Sequence, residues 1–273
     1  MKLPFSRKFR DYIKYHHVVK ADISFIEPAE RLKGKHIIVT GGTSGIGQAM
    51  AKRFVAEGAK VLIASRNQEK LDKIASELGC EALALDLTQV DMFEAFVTQA
   101  KKKLGKIDCL VNNAGISFHE STFYRVTFEG FDQQISTNFR GPFFLTQRVL
   151  AYMEKNIVKG HVIFISSETG DMADIRPYGL TKAAINSLVQ GLAYYYIEKG
   201  IRVNAIAPGV TATKMSHYNP EENINCPFNP NGRAYLPEEI AETAVFLLSD
   251  ASNCISGQII TCNNGKTINA RWK

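Results

Sequence analysis

No stretch of the 273 residues comes near the roughly eighteen consecutive apolar positions that a membrane-spanning helix needs. The first twenty residues, MKLPFSRKFRDYIKYHHVVK, are broken by charge every few positions and so lack the apolar centre of a secretory signal. Cysteine is scarce. Cys80, Cys109, Cys226, Cys254 and Cys262 are irregularly spaced and include no C-x-x-C pair. An odd count without a secretory signal points to reduced thiols in the cytoplasm and argues against a disulfide framework or a zinc site. The six histidines form no metal-ligand pattern either, so no metal is expected. An excess of one charge is missing from most of the chain as well. Residues 1–33 hold eight Lys or Arg against four Asp or Glu, so four of the six net positive charges lie there. The body that remains is nearly balanced and offers nothing like a nucleic-acid groove. No internal repeat and no linker-like stretch divides the chain.

What the chain does contain is alternation. HIIVT (36–40), VLIAS (61–65), EALALD (81–86), CLVNN (109–113), HVIFIS (161–166), IRVNAIA (201–207) and QIITC (258–262) read as strands. Segments 46–57, 67–78, 89–104, 131–155, 178–198 and 237–249 read as helices. Continuously apolar strands separated by helices predict a parallel sheet covered on both faces, wound by right-handed crossovers. Such sheets bind ligands beyond the carboxyl ends of their strands. The chemistry-bearing motifs fall on those ends.

TGGTSGIG (40–47) follows the first strand and leads into a helix, with glycines at 41, 45 and 47. A glycine turn between a strand and a helix N-terminus suits a phosphate, because the backbone can approach closely and the helix dipole favours anions. Further along, YGLTK places Tyr178 four residues before Lys182 in a helical segment, so both side chains share one face. A neighbouring cation favours phenolate and would bring a tyrosine toward useful acid/base behaviour. Taken alone, that pair also fits a chance pairing on a solvated face.

TGGTSGIG, Asp86, NNAG (112–115), Ser167, the Tyr178–Lys182 pair and PGVTAT (208–213) occur together in the order of the short-chain dehydrogenase/reductase family. From about Gly34 to Ile268 the chain resembles that family. The resemblance implies an α/β Rossmann-type fold, a doubly wound seven-stranded parallel sheet in a single domain (34–273); residues 1–33, which it does not cover, read from their own spacing as an N-terminal helical extension. The resemblance also implies an NAD(P)-dependent oxidoreductase that interconverts a carbonyl and a secondary alcohol. Tyr178 would be the acid/base, the Ser167 hydroxyl would hold the carbonyl oxygen, and Lys182 would lower the tyrosine pKa while binding the nicotinamide ribose. Asn138 would hold a water linking Lys182 to solvent, or else mark a helix kink. Ser167 is preferred to its neighbour Ser166, since neighbours on a strand face opposite ways and Ser167 completes S-x-x-G with Gly170.

The cofactor contacts implied are Gly41, Thr43, Ser44, Gly45, Ile46, Gly47, Ser65, Arg66, Asp86, Leu87, Asn113, Ala114, Gly115, Tyr178, Lys182, Pro208, Gly209, Thr211 and Thr213. At the end of the second strand, where an acidic residue would select NAD, stand Ser65 and Arg66. A guanidinium suits a 2′-phosphate, so NADP is expected ahead of NAD. Asp86 would accept from the adenine amino group or cap the following turn.

Three departures from the family pattern bear on the substrate and partners. Ser167 lies eleven residues before Tyr178, which leaves a short loop, and GQIITCNNGKTI lacks the usual acidic residue and paired glycines. The polar stretch from Lys214 to Leu236 reads as a mobile lid. The substrate is therefore left open among a hydroxysteroid, a 3-oxoacyl thioester and another ketone. Relatives commonly pair the 131–155 and 178–198 helices across a tetramer, so a homotetramer is expected. In the extension, Phe5, Phe9, Tyr12, Ile13 and His16 form an apolar stripe after Pro4. Docking on the protein's own body or a neighbouring subunit is expected ahead of membrane contact. Two other classes compete: a non-catalytic dinucleotide-binding scaffold, which would have lost the tyrosine or lysine, and a sugar epimerase, which would carry a larger C-terminal domain.

Overall fold

The computed structural model describes residues 18–20 and 29–269. In chain order the elements are β1 (His36–Thr40), α1 (Gly45–Ala56), β2 (Lys60–Ser65), α2 (Gln68–Leu78), β3 (Glu81–Ala84), α3 (Phe93–Leu104) and β4 (Cys109–Asn112). Then come α4 (Phe128–Ile135), α5 (Gly141–Lys155), β5 (His161–Ile165), α6 (Pro177–Tyr196), β6 (Arg202–Pro208), α7 (Pro237–Leu248) and β7 (Ile259–Cys262). All seven strands are parallel, in the order β3-β2-β1-β4-β5-β6-β7. The order reverses between β1 and β4, which opens a crevice at their carboxyl ends.

Strand periodicity sorts the core into two layers. Ile38, Leu62, Leu110, Val162, Phe164, Val203 and Ala205 face α3, α5 and α6, packing with Phe93, Leu145, Val149 and Val189. Their neighbours Ile37, Val39, Val61, Ile63, Val111, Ile163 and Ile206 face α1, α2 and α7, packing with Met50, Phe54, Leu71, Ile240 and Val245. Both faces of each central strand are thus buried, which accounts for the unbroken apolar runs in the sequence.

Local signals set the boundaries. Asn67 caps α2 by accepting from Lys70 N at 2.7 Å, and Gly79 ends it in the left-handed region. Thr127 caps α4 by accepting from Gly130 N, so the helix expected from 131 begins at Phe128. A single π turn, Ser136–Arg140, joins α4 to α5 within what the sequence suggested was one uninterrupted helix. β3 ends at Ala84, two residues short of expectation, because the Asp86 carboxylate turns the chain by accepting from Thr88 N at 2.9 Å.

The expected lid is more than a polar loop. Ala212, Ile224, Cys226, Ala234 and Leu236 close around a small core of their own, edged by Val19, Val210 and Tyr218. Asn229 crosses it, donating to Val210 O at 3.1 Å and Arg233 O at 2.8 Å. Arg233 grips Glu239 of α7 with two bonds of 2.8 Å. At the opposite end of the sheet, the chain entering β1 is anchored on the buried Glu57, which accepts from Ala29 N, Arg31 N and the Arg31 guanidinium. These bonds hold the Glu57 carboxyl down at about 2. The amphipathic helix expected over Phe5–His16 lies outside the described residues.

Candidate active site

Thr40, the last residue of β1, draws the two loops of the crevice together. Its hydroxyl accepts from Asn113 N at 3.0 Å and Ala114 N at 3.1 Å, and donates to Val111 O. Asn113 returns a bond from Nδ2 to Thr40 O at 2.9 Å. Gly41 turns the chain at φ +66°, a region that disfavours side chains. Gly47 lies so close beneath the turn that a Cβ there would stand 2.3 Å from Gly41 O and 2.4 Å from Asn113 Nδ2. Ser44, Gly45 and Ile46 then open α1, whose first turn carries no acidic side chain. Free helix N–H groups, a positive dipole end and a cradle that tolerates only glycine fit the pyrophosphate of a dinucleotide.

The cleft that begins here measures about 570 Å³ and runs from Arg66 past Gly115 to Tyr178 and Lys214. At one end the Ser65 hydroxyl accepts from Thr43 at 3.5 Å, and Arg66 projects from the rim with no hydrogen bond or ion pair to any described residue. Asp86 uses Oδ1 on Thr88 N and Oγ1, which is the capping alternative; Leu87 beside it is buried. The far wall is the segment after β6. Pro208 and Gly209 lead to Thr211, which donates to Gly209 O at 2.9 Å. Thr213 presses on the glycine turn, its Cγ2 lying 3.1 Å from where a Cβ on Gly45 would stand.

At the other end the Ser167 hydroxyl lies beside the Tyr178 phenol on the cleft wall. Ser166 points the opposite way, donating to Asn186 Oδ1 at 2.6 Å beneath α6. Lys182 is buried below Tyr178, with Nζ 5.5 Å from the ring centroid, and donates to Ile165 O at 2.8 Å. One expectation is overturned here. The sequence suggested that Lys182 pulls the tyrosine pKa down, whereas burial pushes the phenol up and only the neighbouring Ser167 hydroxyl opposes it. Burial acts on the lysine instead, bringing it down to about 8. An ammonium more than a hydrogen bond away, turned toward a carbonyl, cannot offset the desolvation of the phenol.

Asn138 sits in the π turn, and its amide is spent on the loop after β4. Oδ1 accepts from Ile116 N and Nδ2 donates to Ile116 O, both at 2.8 Å. A Cβ on Gly115 would lie 3.4 Å from Asn138 Oδ1 and 3.8 Å from Lys182 Nζ, so the two polar groups flank that glycine. Asn138 thus fixes the floor of the cleft beside Lys182 rather than bonding to it.

Several cleft residues carried no sequence signal that singled them out. Glu168, directly after Ser167, is buried and pairs with Lys266 Nζ at 2.6 Å and Asn263 Nδ2 at 3.2 Å. The Tyr235 hydroxyl nearby is buried with no hydrogen bond to any described residue, and burial beside Glu168 pushes it up to about 12. His119 and Arg176 line the substrate end, the latter held by Asp174 through bonds of 2.8 and 2.7 Å. Only Glu168 had a usable hint: a charged residue beside an apolar strand end needs a partner.

Among described residues there is no cluster of three His, Cys, Asp or Glu side chains able to hold a metal ion, and no helix long and apolar enough to cross a membrane. The family model described as enoyl-(acyl carrier protein) reductase matches residues 41–267. The chain is 34% identical over 247 residues to the 3-oxoacyl-[acyl-carrier-protein] reductase FabG of Thermotoga maritima, covering 87% of this chain and 100% of that one. It is 36% identical over 261 residues to the oxidoreductase UcpA of Salmonella typhimurium, covering 87% and 96%. The fold superposes on a Brucella melitensis 3-ketoacyl-(acyl-carrier-protein) reductase complexed with NADH, with TM-score 0.79, 31% identity and coverage of 87% and 100%. A short-chain type dehydrogenase/reductase from Mycobacterium marinum gives TM-score 0.79 at 30% identity, covering 87% and 97%.

Proposed function

The chain belongs to the short-chain dehydrogenase/reductase family and is an NAD(P)-dependent oxidoreductase acting on CH–OH groups, and from that premise we propose the roles of its residues. Tyr178 is the acid/base, Ser167 holds the reacting oxygen, and Lys182 resupplies the tyrosine with its proton. The observation that carries this is the gathering of Ser167 and Tyr178 on one cleft wall, with a buried lysine against the tyrosine ring. What a bound nicotinamide supplies there is hydride exchange with the carbinol carbon. The chain's own part is to manage the oxygen. In reduction the Ser167 hydroxyl donates to the carbonyl oxygen as negative charge grows on it, and Tyr178 delivers the proton. A phenol pushed up by burial stays protonated near neutral pH, so it is ready as a donor. Lys182, at about 8, is poised to pass a proton to the tyrosine and regain one from solvent. Among described residues its one acceptor is Ile165 O, and two N–H groups remain for ribose hydroxyls.

NADP is the proposed preferred cofactor, supported by Ser65 and the unpaired Arg66 at the rim. A 3-oxoacyl thioester is the proposed substrate class, favoured by the names of the Thermotoga and Brucella relatives. Acetoacetyl-CoA, a hydroxysteroid and simple ketones, each assayed with NADPH and NADH by nicotinamide absorbance, test both assignments. Turnover of acetoacetyl-CoA with NADPH supports them, and activity confined to another carbonyl sinks the thioester assignment.

The proposed assembly is a homotetramer. Phe143 and Phe144 on α5 and Leu180, Tyr194 and Tyr195 on α6 are all more than a third exposed, a density of apolar surface that favours association. Light scattering at micromolar concentration should give four times the chain mass, and a monomer there refutes this. Five free cysteines suit the reducing compartment expected from the sequence. Residues 1–33 are proposed to be an extension of a catalytic domain spanning 34–273.

A further inference from the structure

Four short segments, far apart in sequence, lie side by side above the substrate end of the cleft. The innermost is Val210–Ala212: Tyr235 N donates to Val210 O at 2.9 Å and Ala212 N to Tyr235 O at 2.7 Å. One residue earlier, Ala234 N donates to Ile224 O at 2.8 Å, and Asn225 pairs with Arg233. The outer rung comes from the N-terminal segment. Ile224 N donates to Val19 O at 3.2 Å, and Val19 N donates to Asn223 Oδ1 at 3.0 Å. Hydrogen bonds therefore step from Val19 through the lid to Val210 and Thr211, which line the cleft. The side chain of Val19 packs on the edge of the small core that these rungs share.

Ladders this short have little stability of their own. Ile224 is 1% exposed, so without Val19 O its N–H is a buried donor lacking a partner. The lid would have to open to let water reach it. Opening travels inward by the same bonds, because Ile224 O holds Ala234 N and the next residue, Tyr235, holds Val210 and Ala212.

We propose that Val19 is a positioning residue for the substrate side of the cleft: the N-terminal segment completes the lid's hydrogen-bonded ladder and so holds Val210 and Thr211 in place for substrate. This rests on the oxidoreductase reading of the cleft. It gives the N-terminal segment a part in the reaction without any contact with the reacting atoms.

The test compares full-length Val19→Asp, which carries a carboxylate into the apolar edge, with Val19→Ile, which preserves packing and backbone. Amide exchange in the NADPH-bound protein should speed at least about tenfold at Ile224 and Ala234 in Val19→Asp, since lost tertiary support exposes such rungs first. Amides of the central strands, such as Val162 and Val203, should be unchanged, which shows the domain still folded. With acetoacetyl-CoA as probe and NADPH saturating, KM should rise about fivefold with kcat within about twofold, the signature of lost positioning rather than lost chemistry. Val19→Ile should behave as wild type in both measurements. Unchanged exchange at Ile224 overturns the proposal, as does faster exchange with an unchanged KM, which reduces Val19 to a structural clip. Absence of wild-type turnover with every carbonyl fails the oxidoreductase roles instead, and the ladder is then judged on exchange alone.

Discussion

On the dinucleotide side of the cleft the walls are made of backbone: Gly41 and Gly47 permit a close turn, and Thr40 and Asn113 tie two loops through main-chain bonds. On the substrate side the walls are made of side chains drawn from distant parts of the chain. Glu168 reaches Lys266, 98 residues away, and Val19 reaches Asn223 of the lid, 204 residues away. The first construction depends on a few residues that nothing else can replace, and therefore reads as a compact motif. The second depends on pairs whose members can change together. A site built this way keeps its cofactor chemistry while its substrate end is free to diverge.

Tyr178 stands on the seam between the two sides and gives the largest expected effect. Tyr178→Phe keeps the ring and removes the proton donor, so kcat should fall on the order of 10²–10⁴-fold while cofactor affinity changes only a few-fold. Near-full activity would remove Tyr178 from the chemistry and leave the seam elsewhere.

The buried pair on the substrate side gives the next effect. Lys266→Met leaves the Glu168 carboxylate buried, with Asn263 as its remaining hydrogen-bond donor among described residues. Breaking such a pair costs up to about 3 kcal/mol, the low end for a buried ion pair because Lys266 keeps some solvent contact. Adding Glu168→Gln removes the stranded charge and should restore most of that stability. Denaturant unfolding of the single and double variants decides it. Equal losses in both would mean that the pair matters through packing and not charge.

Arg66 sharpens the dinucleotide side. Arg66→Ala should weaken NADP by roughly 1.5–3 kcal/mol, the worth of a charge-assisted hydrogen bond, and leave NAD almost untouched. Titration of each cofactor by fluorescence measures the contrast. A wild-type protein that already binds NAD more tightly would put the specificity somewhere other than Arg66.

The same contrast explains what the sequence could and could not disclose. The strands were readable because apolar runs such as HIIVT and HVIFI are buried on both faces, and α1 because a glycine turn precedes it. Ser167 could be told from Ser166 because adjacent strand residues face opposite ways, and the structure turns them apart in that sense. The π turn at Asn138 was legible only as the alternative of a helix kink, since it arises where the helix spends an amide on Ile116, a contact between parts of the chain 22 residues apart. The Glu168–Lys266 pair, whose members are 98 residues apart, was not readable. The Tyr178–Lys182 spacing placed two groups on one face but carried no information on burial. It therefore gave the wrong direction for the phenol.

That burial supplies the most discriminating effect. Lys182 falls to about 8 because it is desolvated without a carboxylate partner, while in the unfolded chain it stays near 10.5. Between those values the unfolded chain binds more protons than the folded one, so this group's contribution to folding stability rises with pH across that window. Below it, both states carry the charge and the folded one bears the full cost of burying it. Lys182→Met removes the titration, so the stability of the wild type relative to the variant should improve as pH is raised from just below 8 to 10.5. Urea unfolding of the two cofactor-free proteins across that range reads the difference. A flat difference would mean that the ammonium is already compensated when the cofactor is absent. The substrate side would then hold its buried cation as securely as it holds Glu168.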